Sequence, residues 1–251
     1  MAAVLRLLDV NEDDGDNFNA IRGIPKAPNM PFEAAVTVLV DGVPELHDEN
    51  LGGEAKLASR FAKNHKDAIL SQDQVAAINF YTRETPFYEV LNNAMRARNR
   101  EVLKPFFPFL KIFFSALYLL ELPTTPQPVY RGIAKQVYAT KKKGNDLLFW
   151  SFSSTTASLD VLSNPAFLGT TGKRTILNIE SRCFVDIRKY SAYQIEDERL
   201  LLPGTLLVIK AILEPAVGLQ IFQLRDDDES PSAMDYCHPQ LKVVRWLTVL
   251  I

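Results

Sequence analysis

The hydrophobic pattern of the chain changes its period near Pro123, and this change limits the folds that the sequence can adopt. Before Pro123 the apolar residues recur at helical spacing, as at Leu57, Phe61 and Ile69. After Pro123 the chain breaks into short apolar runs separated by turn residues, which is the pattern of β-strands. Strands that follow one another without long intervening helices favour an antiparallel or mixed sheet. We therefore predict an α+β fold, with an N-terminal helical lobe packed on a mixed, mostly antiparallel β-sandwich core.

Capping residues predict where individual helices begin. Ser71 followed by Gln74 has the spacing of a capping box, so a helix is expected directly after Ser71. Thr85 and Pro86 predict a second helix, with a threonine cap and proline at the first helical position. Residues 109–120 are almost entirely apolar and predict a buried helix.

The second half of the chain contains the predicted strands. They lie at residues 129–134, 147–152, 174–180, 183–187, 199–202, 206–213, 219–224 and 241–251. No glycine-rich phosphate loop follows any of them, so a Rossmann-type dinucleotide site is not expected. We divide the chain into an irregular arm at residues 1–30, a helical lobe at 31–124 and a β-rich core at 125–251, all within one compact domain.

Charge and cysteine content narrow the class of protein. Lys and Arg total 28 against 30 Asp and Glu, so the net charge of -2 gives no electrostatic reason to expect a nucleic-acid partner. The two cysteines, Cys183 and Cys237, are too few for a disulfide framework and lack metal-ligand spacing. We therefore expect free thiols, no metal and a reducing compartment.

The apolar segments of the chain do not predict a membrane protein. The N-terminus has no basic leader followed by a long apolar stretch. The apolar run at 106–122 contains Pro108 and Lys111, which leaves fewer than the roughly 20 residues that a membrane helix needs. We expect a cytoplasmic, monomeric protein that does not bind membranes.

Three consecutive acids, Glu196, Asp197 and Glu198, lead directly into the leucines of a predicted strand. In an extended chain, residues i and i+2 point to the same side with their Cα atoms about 7 Å apart. Glu196 and Glu198 would then share a cleft, where one carboxylate stabilises a developing cation and the other removes a proton. The alternative is a solvated turn of charges at a strand end.

Two other segments carry candidate ligand-binding residues. Arg131 lies within a predicted strand, where its guanidinium suits phosphate oxygens, and Gly132 allows a ligand to approach the backbone closely. The alternative is an arginine at a strand edge that faces water. Residues 149–156 end in a run of hydroxyls that could bind a ligand or orient a carboxylate, or could simply cap the backbone of the strand end.

The order of these three segments resembles that of the arginine-specific mono-ADP-ribosyltransferases, in the eukaryotic branch of the R-S-ExE class. That family carries an arginine, then a Ser-Thr-Ser triplet, then Glu-x-Glu. Residues 130–132, 149–156 and 191–198 match the three elements in that order, and segments around 77–96 resemble the helical lobe of the family. The resemblance runs from about residue 31 to 224 and implies the ADP-ribosyltransferase type of fold.

The resemblance implies an enzyme that transfers ADP-ribose from NAD to arginine side chains of an acceptor protein, with residues 125–251 as its NAD-binding core. The implied NAD-binding residues are Arg131, Gly132, Ser154, Thr155, Phe167 and Glu198. Glu198 would hold the ribose and stabilise its developing charge, and Glu196 would orient and deprotonate the acceptor guanidinium. Arg131 and Ser154 complete the implied catalytic set.

Some residues in these motifs depart from the family pattern or have two interpretations. Thr156 ends the triplet where serine is usual, and Arg199 replaces an aliphatic residue directly after Glu198. Arg199 could pair with Asp197, face solvent or perturb Glu198. Tyr190 and Tyr193 would face the acceptor or pack into the fold. The rival functions are an NAD glycohydrolase, with water as the acceptor, and a catalytically inactive NAD-binding or protein-binding module.

Overall fold

The longer α-helices all precede the first strand. The computed structural model describes residues 24–47, 49–162, 168 and 171–226. Within these residues the α-helices longer than one turn are α1 Phe32–Gly42, α2 Leu51–Asn64, α3 Gln72–Tyr81, α4 Phe87–Arg96 and α5 Phe107–Leu119. A single-turn helix, α6 Leu159–Leu162, lies between two strands. Most of the predicted arm at 1–30 lies outside the described residues.

The capping box before α3 is confirmed. The Gln74 backbone N–H donates to Ser71 Oγ at 3.3 Å, and the Ser71 N–H donates to Gln74 Oε1 at 2.8 Å. The second predicted start is shifted by one residue, because Pro86 is the cap of α4 and helical geometry begins at Phe87. Thr85 Oγ1 accepts only a long 3.4 Å bond from the Phe87 N–H.

The predicted apolar face of α2 is wrong. Leu57 is exposed, Phe61 is half-buried, and Ile69 lies beyond the end of the helix and is exposed. The buried face instead carries small side chains, with Leu51, Ala55, Ala58 and Ala62. Alanine on a helix face allows the neighbouring helices to approach closely, and that tertiary packing overrides the spacing of the larger residues.

A cluster of phenylalanines fills the centre of the helical region. Phe109 on α5 contacts the rings of Phe32, Phe80 and Phe87, with centroids 4.8–6.4 Å apart. Such aromatic pairs add stability beyond their buried area. The prediction that α5 is a buried helix is confirmed.

A continuous helical run, Arg100–Leu119, passes through Pro105 and Pro108 into α5. Pro108 lies in the first turn of α5, a position that tolerates the missing N–H, whereas Pro105 lies inside the 3-10 segment that precedes α5. The run is therefore longer than the sequence predicts, and by length and composition alone its 20 residues could cross a membrane. Half of it is buried inside the protein, as in the core helix of a folded lobe.

The chain divides into two compact units. The helical unit contains residues 24–121 and the segment Ile187–Gln194, and the β unit contains Leu122–Asp186 and residues 195–226, within the described ranges. The segment Ile187–Gln194 therefore packs with helices although it lies between two strands in the sequence.

The strands of the β unit form one hydrogen-bonded sheet in the order β2-β7-β8-β4-β1-β3-β6-β5. The strands are β1 Gln127–Ile133, β2 Asp146–Phe149, β3 Ser153–Thr156, β4 Arg174–Ser181, β5 Phe184–Asp186, β6 Glu198–Leu201, β7 Thr205–Ala216 and β8 Leu219–Asp226. Only β4 and β8 pair in parallel, so the predicted mixed, mostly antiparallel core is confirmed. The predicted last strand at 241–251 lies outside the described residues.

One face of the sheet carries the hydrophobic core of the β unit. Alternate residues of neighbouring strands meet there, among them Val129, Ile133, Leu177, Ile179, Phe184, Leu201, Phe222 and Leu224. This face fixes the register, because a slip of one residue would turn every one of these side chains to the other side.

The predicted strand at 147–152 is too long, because β2 ends at Phe149 and the next strand, β3, begins only at Ser153. Residues 146–149 form β2 and pair with β7, whereas residues 153–156 form β3 and pair with β1 and β6. The Gly204 N–H donates to the Phe149 carbonyl at 2.6 Å where β2 ends. The apolar pattern continues through these residues, but β2 and β3 pair with different strands, so the chain leaves the sheet between them.

The expected free thiol at Cys183 is wrong, because that cysteine is disulfide-bonded. Its backbone N–H donates to Ser181 Oγ at 2.9 Å beside the buried Asp226. The argument for a reducing compartment loses its basis, since disulfides persist in oxidising environments. Cys237, the other cysteine of the chain, lies outside the described residues.

Candidate active site

The register of three neighbouring strands assembles a row of polar side chains in the β unit. Strand β3 lies between β1 and β6. Tyr130 on β1 is opposite Thr156 on β3, and Thr156 is opposite Glu198 on β6. Residues directly opposite each other share a face of the sheet. Tyr130, Thr156 and Glu198 therefore line one face, and Ser154 lies two residues along β3 on that same face.

Glu198 is the first residue of β6 and is only 2% exposed. Leu200 and Leu201, which follow it, are fully buried and hold the strand in place. A carboxylate that is screened from water acts on a nearby cation much more strongly than one in solution. Glu198 is therefore placed to stabilise positive charge that develops on a ligand.

The hydroxyls of β3 differ in their roles. Thr155 Oγ1 donates to the Arg199 carbonyl at 2.7 Å, and Thr156 Oγ1 accepts from the Ser158 N–H at 3.2 Å. Both hydroxyls therefore support the backbone around the site. Ser154 is half-buried on the Glu198 face, which favours it as the residue of the triplet that meets a ligand.

Arg131 lies on the strand next to this row and is 5% exposed. Its partner on β4 is Leu177, a core residue, so the register places Arg131 on the alternate face from Tyr130. Gly132 follows it and is also buried. The structure thus brings Ser154 and Glu198 to one face of the sheet and places Arg131 on the neighbouring strand but on the other face. Ligand contacts by Arg131 and Gly132 stay predictions.

The extended geometry predicted for the two glutamates is wrong. Glu196 ends a 3-10 turn, Gln194–Glu196, and β6 begins only at Glu198. Between them Asp197 adopts a left-handed backbone with φ of 49°, a conformation that aspartate tolerates better than most residues. This kink lets Glu196 remain half-buried on the turn while Glu198 is buried in the sheet.

Arg199 pairs with two carboxylates. Its Nη1 lies 3.1 Å from Asp197 Oδ1 and 3.1 Å from Asp186 Oδ1. Because side chains alternate along a strand, Arg199 and Glu198 point to opposite faces of β6. Of the three predictions for Arg199, the pairing with Asp197 is confirmed, and Asp186 is a second partner that the sequence did not predict.

The two tyrosines before the acids have different environments. Tyr190 is buried in the helical unit, where its hydroxyl donates to Asp67 Oδ2 at 3.0 Å and its carbonyl accepts from Asn79 Nδ2 at 3.0 Å. Tyr193 is 36% exposed. Tyr190 is thus a packing residue, whereas Tyr193 remains open to contact with an acceptor.

Asp67 fixes the segment that contains Tyr190. Its Oδ2 accepts from Lys189 Nζ at 2.6 Å, and its Oδ1 accepts from the N–H groups of Ile69 and Leu70 at 2.8 Å each. The hydrogen bond from Lys189, followed by that from the Leu70 N–H, holds the pKa of the Asp67 carboxyl well below its usual range. Asp67 is therefore an ionised anchor within the helical unit.

Two further expectations concern ligands. Phe167, the predicted stacking partner of nicotinamide, lies outside the described residues. Within the part of the chain that the structure describes, no group of three His, Cys, Asp or Glu residues could hold a metal ion.

The sequence of the chain matches a known protein family across the region that builds this site. The family model of the NAD:arginine ADP-ribosyltransferases matches residues 45–215, most of the chain, including β1, β3 and β6. The chain belongs to this family. The matched ADP-ribosyltransferase region also includes the helices from α2 to α5.

The proteins that are similar to this chain include a relative from chicken erythroblasts and two solved structures. The erythroblast NAD(P)(+)--arginine ADP-ribosyltransferase of Gallus gallus is 30% identical over 179 residues, which cover 68% of this chain and 57% of the relative. The chain thus spans less than two thirds of that relative's length. The eukaryotic mono-ADP-ribosyltransferase ART2.2 has a TM-score of 0.59 at 18% identity, covering 89% of this chain and 92% of its own. Vis of Vibrio splendidus, solved with agmatine, has a TM-score of 0.53 at 17% identity, covering 85% and 92%. The structural likeness confirms the ADP-ribosyltransferase type of fold.

Sequence reasoning missed two features of this site. Tyr130, rather than Arg131, stands in line with Thr156 and Glu198. Asp186 completes the ion pairs of Arg199 from a different strand. Both depend on strand register, for which the only sequence signal is the alternation of buried residues along each strand.

Proposed function

We propose that the chain is an NAD-dependent mono-ADP-ribosyltransferase that transfers ADP-ribose to arginine side chains of proteins and releases nicotinamide. The observation that carries this proposal is the buried carboxylate of Glu198, set beside Ser154 and Thr156 at the start of β6. Family membership supplies the reaction class. Vis was solved with agmatine, a guanidino compound, and a variant of ART2.2 was solved with NAD.

The reaction breaks the bond between the ribose anomeric carbon and the nicotinamide nitrogen. The electron pair of that bond leaves with nicotinamide, so positive charge develops on the ribose, as in glycoside cleavage. The Glu198 carboxylate stabilises this charge in a site that is largely screened from water. Losing such a fixed group typically costs roughly 10²–10³-fold in rate.

The acceptor guanidinium must lose a proton before its nitrogen can attack. It is almost fully protonated at neutral pH, so a base nearby makes a large difference. Glu196 is half-buried at the end of the Gln194–Glu196 turn, two residues before the charge-stabilising carboxylate. We assign Glu196 the role of orienting the guanidinium and accepting its proton, while a guanidino nitrogen forms the new bond to the ribose.

The remaining NAD contacts are proposed from the family pattern. Arg131 would hold a phosphate, the Gly132 backbone the nicotinamide amide, and Ser154 the nicotinamide ribose. Thr155 is assigned a supporting role, because its hydroxyl donates to the Arg199 carbonyl. We also propose that the chain acts as a monomer, without nucleic acid or a membrane, in line with its net charge of -2 and the packing of α5 among phenylalanines.

The deciding experiment incubates the full chain with labelled NAD and agmatine and quantifies free nicotinamide and ADP-ribosyl-agmatine. We expect ADP-ribosyl-agmatine to account for most of the nicotinamide released, with the remainder from hydrolysis of NAD, and Glu198→Gln should lose both products. Glu180→Gln is the matched control, because Glu180 is an exposed glutamate on β4. Nicotinamide release without agmatine modification would make the chain an NAD glycohydrolase. NAD binding without turnover would make it an inactive module. Either result overturns the proposal.

A further inference from the structure

Arg199 occupies the centre of a second row of residues on β3, β6 and β5. It is opposite Thr155 on one side and Asp186 on the other. Thr155 fixes the Arg199 backbone through the 2.7 Å bond to its carbonyl. The Arg199 side chain is largely buried and its guanidinium binds Asp186, so both the backbone and the side-chain end of the residue are fixed.

The guanidinium joins the two ends of a loop. Asp186 is the last residue of β5, and Asp197 is the residue directly before β6. The chain between them, residues 187–196, includes the exposed Tyr193 and Ile195 and ends at Glu196. One nitrogen, Arg199 Nη1, lies 3.1 Å from a carboxylate oxygen at each end.

Asp197, one of the two residues that Arg199 binds, has a left-handed backbone with φ of 49°. A left-handed backbone is uncommon for a residue other than glycine, although aspartate adopts it more readily than most. Here the residue carries a carboxylate that the Arg199 guanidinium binds. The ion pair therefore restrains the residue through which the chain passes from Glu196 into β6.

We propose that Arg199 is a positioning residue that closes this loop and thereby places Glu196 for the acceptor. The inference rests on the proposed function, because Glu196 has a task only if a guanidinium is the acceptor. Arg199 lies on the opposite face of β6 from Glu198, so its removal should affect transfer far more than cleavage of NAD. This role gives a reason for an arginine where the family pattern has an aliphatic residue.

Arg199→Met keeps the length and apolar stem of the side chain and removes the charge. We expect kcat/KM for agmatine modification to fall about 10-fold, since even a 1 Å misplacement of reacting groups can cost about 10²-fold. Hydrolysis of NAD, measured as the nicotinamide released in excess of ADP-ribosyl-agmatine, should change less than about threefold, because Glu198 stays in place. Arg199→Lys should recover part of the transfer rate. Asp186→Asn should reproduce the direction of the methionine variant.

The matched control is Arg225→Met, which removes an arginine paired loosely with Glu180 at 3.8 Å on the exposed side of the sheet. It should leave both activities unchanged. Equal losses of transfer and hydrolysis in Arg199→Met, at an unchanged thermal midpoint, would show that Arg199 acts through Glu198 and would overturn the inference. Unchanged transfer would overturn it as well.

Hydrogen exchange of the amides at 187–197 provides a readout that does not depend on catalysis. It should be faster in Arg199→Met than in the wild type or Arg225→Met. A wild type that lacks transfer would overturn the proposed function, and with it the role of Glu196. The exchange result would still decide whether Arg199 closes the loop, and equal exchange in all three proteins would refute that closure.

Discussion

Replacing Asp67 by asparagine should destabilise the helical unit in a manner that depends on pH. The Asp67 side chain is only 2% exposed and accepts four hydrogen bonds, from Lys189, Tyr190 and two backbone N–H groups. Asparagine keeps a carbonyl for the two N–H groups but turns an NH₂ group toward the ammonium and the tyrosine hydroxyl. The variant therefore loses the two bonds that use the negative charge.

The expected loss of unfolding free energy follows from how exposed Lys189 and Tyr190 are, the two partners whose bonds are lost. The Lys189 side chain is largely exposed, so its ion pair contributes at most about 1 kcal/mol. The Tyr190 hydroxyl is buried and donates to a charged acceptor, a bond that typically contributes about 1.5–3 kcal/mol. Because the asparagine NH₂ can donate to the tyrosine oxygen in return, we expect Asp67→Asn to lower the free energy of unfolding by about 2 kcal/mol at pH 7.

The pH dependence has a definite sign. The pKa of Asp67 is lowered in the folded protein, so the stabilisation is complete above the ordinary carboxyl pKa of about 3.9. The stabilisation is lost as the pH falls from the unfolded-state pKa through the lower folded-state pKa. In that range the unfolded chain binds a proton that the folded chain does not bind. Urea unfolding of the wild type and Asp67→Asn should therefore differ by a constant amount between pH 8 and about pH 5, and the difference should narrow below about pH 4.

Asp41→Asn is the control, because Asp41 is exposed on α1 in the same unit. It should change the unfolding free energy by less than about 0.5 kcal/mol at every pH. If Asp67→Asn matched the wild type at pH 7, or if its deficit stayed constant down to pH 3, the assignment of Asp67 as an ionised anchor would be refuted.

Three further substitutions test the site and the fold. Glu198→Gln should reduce both agmatine modification and nicotinamide release by at least about 10²-fold, and a smaller loss in the labelled-NAD assay would argue against its role. Glu196→Gln should lose transfer but keep some NAD hydrolysis; parallel loss of both activities in the same assay would contradict the base assigned to the acceptor. Ser71→Ala should lower the unfolding free energy by about 1 kcal/mol in urea, because it removes one side of the capping box, and no change would show that the Gln74 side chain alone suffices.

The elements of the fold could be predicted where the signal is local. The capping pattern of Ser71 and Gln74 fixed the start of α3, because both partners lie within four residues. The strands after Pro123 follow from short apolar runs between turns, and each predicted run up to residue 224 overlaps an observed strand. The wrong face of α2 shows the limit, because its burial depends on how closely neighbouring helices approach its alanines.

The order of the motifs in the sequence was enough to predict the family, but not the geometry of the candidate site. An extended Glu196-Asp197-Glu198 was a reasonable expectation for a strand end. The observed kink at Asp197 is accompanied by ion pairs of Arg199 with Asp197 and with Asp186 on another strand, and the second of these joins residues that are distant in sequence. In the same way, the alignment of Tyr130 with Glu198 is a property of the order β1-β3-β6, which no local pattern encodes.

The strand order has a consequence for how the protein acquires activity. Strand β3 joins β1, which precedes it, to β6, which is made much later in the chain. Pairing between distant segments is slow, because a long stretch of chain must be closed before the contacts can form. A nascent chain that stops before β6 has neither Glu198 nor the strand that carries it. Enzymatic activity should therefore return late in refolding, after most helical signal has recovered, and synthesis up to that point should yield no active fragment.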